Sequence, residues 1–141
     1  MKVVLDTNVL VSALIKTGKP RELFLKIIEA RIQLILSRSL LKEFSEVVDD
    51  PRIRKYVNRD DIIAFLKILG TVAKTVQVTS RFKVVKEDPD DDIVLRTAFD
   101  GKADYIVSGD NHLLSTGTFR GIRIVTIAEM LTLLKKNMEI D

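Results

Sequence analysis

An apolar run of strand length, Lys2 to Leu5, ends at Asp6 and passes directly into Thr7 to Ile15, where Leu10, Ala13 and Leu14 recur at helical spacing. A strand that leads straight into a helix does not fold back as a tight hairpin. The next strand is reached by a crossover and laid parallel to the first.

The same alternation repeats along the chain. Gly18 and Pro20 precede a helix over Pro20 to Ala30, with Leu23, Phe24, Ile27 and Ile28 as its buried stripe. Gln33 to Leu36 is a second strand. Ser37 or Ser39 then caps a helix that turns Leu40, Leu41, Phe44, Val47 and Val48 inward and ends at Pro51. Asp60 or Asp61 opens a helix through Ile62, Phe65, Leu66 and Leu69, and Thr75 to Thr79 alternates as a strand suited to a sheet edge. The acidic run Glu87 to Asp92 leads into a helix carrying Val94, Leu95 and Ala98. Strands at Tyr105 to Val107 and Ile122 to Val125, and a closing helix through Leu134, complete the pattern. With neither repeat nor linker, residues 1–141 are expected to form a single domain, a three-layer α/β/α sandwich around a mostly parallel sheet. Apolar residues are 46% of the chain, enough to close a core between layers.

Composition narrows the chemistry. The chain has no cysteine, which excludes a disulfide framework, a thiolate zinc site and a thiol nucleophile, and points to the cytoplasm. Asp6 and Asn8 interrupt the N-terminal apolar stretch, and neither a charged leader nor a small-residue cleavage site frames it, so it reads as core. Other apolar windows are too short and too broken by Lys to span a bilayer, so no membrane is expected. A net charge of +3 with 23 basic and 20 acidic residues suggests segregated patches and permits nucleic acid as a partner.

In a parallel sheet, strand C-termini and the N-termini of the following helices converge on one edge. Asp6 follows the first strand, and Asp110 follows Tyr105 to Val107 through Ser108 and Gly109. Asp104 falls at the opposite end of that strand. Glu43 flanks the inward stripe of its helix, with Leu40 and Val47 three and four residues away, while Glu46 points outward. Asp91 continues the stripe of Val94, Leu95 and Ala98. Asp92 is turned about 100° from it and ranks second for the site, and Asp88 and Asp90 precede the helix. Each acid taken singly also reads as an ordinary cap or turn residue. Gathered together, carboxylates repel unless protons or cations neutralise them, and an all-oxygen donor set suits Mg2+ or Mn2+.

The segments LDTNVLVSAL, SRSLLKEFSEVV, DPDDDIVLRTA and ADYIVSGD, in this order and spread over nearly the whole chain, resemble the PIN-domain family, and within it the branch of toxins from toxin–antitoxin pairs. The resemblance implies a five-stranded parallel sheet with helices on both sides. It also implies a metal-dependent ribonuclease site made by Asp6, Glu43, Asp91 and Asp110, supported by Asn8 and Ser108. Ser108 stands where the family often has Thr. Water would attack the phosphorus, leaving a 5′-phosphate and a 3′-hydroxyl. An RNA substrate, a small antitoxin protein and a second copy of the chain are the partners it implies. A haloacid-dehalogenase-like phosphotransferase fits less well, because Asn8 stands where a second Asp is needed. The rival from another class is a PIN-like module that binds RNA or protein without turnover.

Among basic residues, Lys16, Lys19, Arg21, Arg38 and Lys42 are candidates for substrate phosphates, with Arg52, Arg54 and Lys55 as a second patch. His112, close to Asp110, is a candidate phosphate contact or proton relay, although a lone surface histidine is more often neither. Tyr56, Phe82 and Phe119 read as core more readily than as base-stacking platforms. The apolar helix from Ile62 to Ala73 offers a face beyond what the core needs, a candidate for homodimer contact.

Overall fold

A computed structural model describes the backbone of residues 1–84 and 89–140, and side chains within these ranges other than those of 89, 90 and 137–140. The order is β1 (Lys2–Leu5), α1 (Thr7–Ile15), α2 (Lys19–Glu29), β2 (Gln33–Ser37), α3 (Arg38–Val48), α4 (Pro51–Arg54), α5 (Arg59–Val72), β3 (Ala73–Val76), α6 (Pro89–Asp100), β4 (Tyr105–Val107), α7 (Asn111–Thr116), β5 (Thr118–Phe119), β6 (Ile122–Val125) and α8 (Ile127–Ile140). The strands form one sheet in the order β3-β2-β1-β4-β6-β5, with helices on both faces. Every pairing is parallel except that of β5 with β6. The expected five parallel strands are therefore present, and a two-residue antiparallel strand is added at the edge.

Val3, Val4 and Leu5 in β1, Leu34, Ile35 and Leu36 in β2, and Ile106 and Val107 in β4 are all buried. Unbroken apolar runs of this kind belong to strands covered on both faces. β3 alternates less cleanly, with Lys74 and Thr75 exposed, and it lies at the edge as expected. It begins and ends earlier than the Thr75 to Thr79 reading, because its partner β2 stops at Ser37, opposite Val76. Among the described residues, no helix is long and apolar enough to cross a membrane.

Helix ends follow local chemistry. Ser37 caps α3 by accepting from the Leu40 amide at 3.2 Å, and Asn58, not Asp60 or Asp61, caps α5 through the Asp61 amide at 2.8 Å. Pro51 does not terminate α3, which ends at Val48; it opens α4 behind the Asp50 cap, where a missing N–H is harmless. The short helix α7 was not legible as periodicity. Asp90 does not precede α6, as its place in the acidic run suggests, because the helix already starts at Pro89; its side chain, and Asp88 altogether, lie outside the described residues.

The placement of α6 governs the site. Its buried Thr97 hydroxyl lies 2.7 Å from the Ser37 hydroxyl at the end of β2. At its other end Gly101 is so close to the sheet that a Cβ there would come within 2.5 Å of Ile35 Cγ2 and 2.9 Å of the Thr97 carbonyl. Asp100 accepts from the Thr79 and Ser80 amides and the Ser80 hydroxyl. Burial on its own raises the Asp100 carboxyl, but these hydrogen bonds outweigh it and hold the group below its ordinary value. Phe82 packs against Phe99 and Phe119, and the Arg120 guanidinium sits 4.6 Å from the Phe82 ring centre.

Gly101→Ala is expected to lower unfolding free energy by about 1–3 kcal/mol, measured by urea denaturation, since backbone as well as side chain would have to shift. A depressed folded-state pKa makes the ionised Asp100 stabilising above its unfolded value, a contribution lost as pH falls through the folded one. Asp100→Asn should therefore be destabilised near neutral pH, and its deficit against wild type should narrow as pH drops below about 4 in parallel denaturation series.

Candidate functional site

β1 occupies the middle of the sheet, with β2 and β3 on one side and β4 and β6 on the other. The winding direction reverses between β1 and β4, and such a switch point opens a crevice beyond the strand C-termini. Asp6 and Ser108 are the residues that leave these two strands. The Asp6 amide still donates to the Val107 carbonyl at 3.0 Å, so the strands stay paired up to the point where the side chains diverge. Asp6 is 5% exposed and Ser108 wholly buried. The Ser108 hydroxyl donates to Asp6 Oδ2 at 2.7 Å and accepts the Asp110 amide at 3.0 Å. One hydroxyl thus ties the carboxylate after β1 to the loop that carries Asp110.

Asp110 caps α7, its Oδ1 accepting from the amides of His112 at 2.8 Å and Leu113 at 3.2 Å. The cap orients the carboxylate without sealing it, and the side chain is 27% exposed. Asp91, in the first turn of α6, is buried at 5% exposure. Donor atoms of Asp91, Asp110 and His112 lie within 4.8 Å of one another, close enough to share one cation. Carboxylate oxygens with one imidazole nitrogen are a donor set that divalent ions accept, so the residues present fit a divalent metal.

Asp92 does not join this group. Its Oδ1 accepts the Val84 amide at 2.9 Å, holding the segment before α6 against the helix. Of the two candidates for the third acid, Asp91 is the one brought to Asp110. Glu43 is half-buried on α3, with Oε2 shut off from solvent, and both it and Asp6 stand outside the tightest grouping. Asn8 is exposed on the first turn of α1. Asp104 accepts from the Lys2 amide at the far end of the strands, as its position after no strand required.

The basic candidates separate by position. Arg38 and Lys42 are exposed on the first turns of α3, which begins at the same sheet edge as Asp6. Lys16 follows the last residue of α1, a helix length of about 14 Å from Asp6, so it is not beside the acids. Arg21 donates to the carbonyls of Ala13 and Leu14 and closes the end of α1 instead of facing solvent. Arg52 and Arg54 pair with Asp50 and Asp49. The hydrogen bond from Arg52 holds the Asp50 carboxyl at about 2. Helical phase carries no signal for Ser108, which the family resemblance implies as support; its buried hydroxyl joins two strand ends.

Ser108→Ala would leave the Asp110 amide and a buried Asp6 oxygen without that hydroxyl. The expected loss is about 1–3 kcal/mol in chemical denaturation, the scale of a buried polar group left unsatisfied.

Comparison with known proteins bears on the fold and the family. The chain is 36% identical over 117 residues to the uncharacterized protein MJ1680 of Methanocaldococcus jannaschii, covering 82% of this chain and 74% of that one. Its fold matches the crystal structure of VapBC2 from Rickettsia felis bound to a DNA fragment from their promoter, with a TM-score of 0.61 at 13% identity over 89% of this chain and 98% of that one. The sequence profile of the PIN domain matches residues 2–112, from the start of β1 past Asp110. By that match, which spans most of its length, this chain belongs to the PIN-domain family.

Proposed function

We propose that the chain is a metal-dependent endoribonuclease, acting as one PIN-like unit over residues 1–141 and as the toxin of a toxin–antitoxin pair. The observation that carries this reading is the approach of Asp91, Asp110 and His112 to within 4.8 Å beside the Asp6–Ser108 hydrogen bond. Asp6, Glu43, Asp91 and Asp110 are assigned as the acids that hold Mg2+ or Mn2+, with Asn8 and Ser108 in support. When bound, such an ion supplies Lewis acidity that activates water and offsets charge developing on the phosphate.

The chain's own residues do the positioning. Ser108 fixes the Asp6 carboxylate in a buried setting, and the α7 cap fixes Asp110, so the acids need little reorganisation to take a cation. Arg38 and Lys42, exposed at the start of α3, are assigned to phosphates of the RNA strand flanking the cut. With RNA as the substrate, the cytoplasm is the assigned compartment.

Two protein partners belong to the same reading. The similar fold of VapBC2 supports an antitoxin, a small protein that covers the toxin. Ile63, Leu66 and Ile68 lie exposed on α5 although Ile62, Phe65 and Leu69 of the same helix are buried, which supports a homodimer.

The test is cleavage of a mixed single-stranded RNA panel with Mg2+ or Mn2+, beside an EDTA control and Asp6→Asn. Asn keeps an acceptor for the Ser108 hydroxyl, so the variant isolates the lost charge. Cleavage should fall by roughly a hundredfold or more in Asp6→Asn and vanish in EDTA. Products should carry a 5′-phosphate and a 3′-hydroxyl. A 2′,3′-cyclic phosphate would overturn the mechanism, and metal-independent binding without cleavage would favour the non-catalytic module.

A further inference from the structure

The donor group at the switch point is not made of carboxylates alone. His112 lies on the first turn of α7, two residues after Asp110, and its side chain is 54% exposed. Its Nδ1 is 3.7 Å from Asp110 Oδ1, too far for a hydrogen bond. Two donors on one small divalent ion, with bonds of about 2.1 Å, are separated by about 3 Å when adjacent and about 4.2 Å when opposite. The observed separation falls between these values, and a carboxylate oxygen of Asp91 lies within 4.8 Å of the donor atoms of both.

The backbone makes this approach a property of the fold. The His112 amide donates to the same Asp110 oxygen, so the cap that orients the carboxylate also anchors the residue bearing the imidazole.

We propose that His112 is a nitrogen ligand of the metal centre, and that it tunes the centre toward Mn2+ over Mg2+. The inference rests on the metal-dependent reading above and deepens it. Mg2+ holds to oxygen donors and to its own waters, whereas imidazole nitrogen is a better partner for later divalent metals, Mn2+ among them. A site of acids alone would offer no such preference from its donor type. His112 would then act on the ion, a role distinct from contacting phosphate or relaying a proton.

The chain contains a single histidine, which makes the test clean. Untagged full-length protein is loaded with Mn2+ and examined by pulsed electron paramagnetic resonance for 14N modulation from a coordinated imidazole. Mn2+ and Mg2+ affinities are measured beside it by calorimetry for wild type and His112→Ala. The expected result is 14N modulation in wild type that is absent in His112→Ala. In that variant Mn2+ affinity should fall on the order of tenfold or more while Mg2+ affinity changes far less. Mn2+ bound without nitrogen modulation overturns the role of His112 and leaves the acidic site standing. Equal losses for the two ions in His112→Ala overturn the preference. Mn2+ that fails to bind wild type removes the metal centre itself and this inference with it.

Discussion

Like charges do not gather unless something holds them, and here the holding is done by hydrogen bonds made before any cation arrives. The Ser108 hydroxyl spans the gap between β1 and β4, giving its proton to Asp6 and receiving the Asp110 amide. Because Ser108 has no exposure, this bridge works in a medium where each hydrogen bond counts for more than at the surface. Around it the strands need only remain parallel and in register, and the paired runs Val3 to Leu5 and Tyr105 to Val107 secure that.

The second support is α6, which crosses back from the β3 edge to deliver Asp91. Its position is over-determined: the Thr97 contact with Ser37, the near-zero clearance at Gly101, and the capture of Thr79 and Ser80 by Asp100 all constrain the same helix. Asp92, the neighbour of Asp91, ties down the incoming segment by accepting the Val84 amide. Adjacent aspartates thus separate into different jobs, one facing the crevice and the other holding the approach to it, because helical rotation sends consecutive side chains about 100° apart.

Much of this architecture was legible along the chain. Apolar strand runs, a serine cap at Ser37 or Ser39 and the alternation of strand and helix carried the layer arrangement, since burial on both faces leaves a strand no room for polar residues. The edge hairpin was not legible. Its strand β5 has two residues, too few for a period, and its turn places Arg120 and Gly121 at φ of 49° and 84°. Turns of this hand usually announce themselves with Asn-Gly, and an arginine in the first position hides the signal. In the folded chain the rings of Phe82, Phe99 and Phe119 surround that guanidinium, and the contacts with Phe82 and Phe99 are remote in sequence.

The basic residues show the same divide. Nothing local separates Lys16, Arg21 and Arg38: each is a cation beside a helix boundary. In the fold Arg21 serves the carbonyls at the end of α1, Lys16 lies a helix length from Asp6, and Arg38 starts a helix at the acidic edge.

By itself the sequence determined the alternation of five parallel strands with helices and which carboxylates follow those strands to one sheet edge, because periodicity and the order of elements are read along the chain. Only the tertiary structure decided that Asp91 and not Asp92 reaches Asp110, that Ser108 bridges two strand ends, and that His112 stands beside the acids. Those outcomes depend on the strand order around β1 and on where α6 docks, and both are set by packing between segments remote in the chain, Asp6 with Ser108 and Ser37 with Thr97.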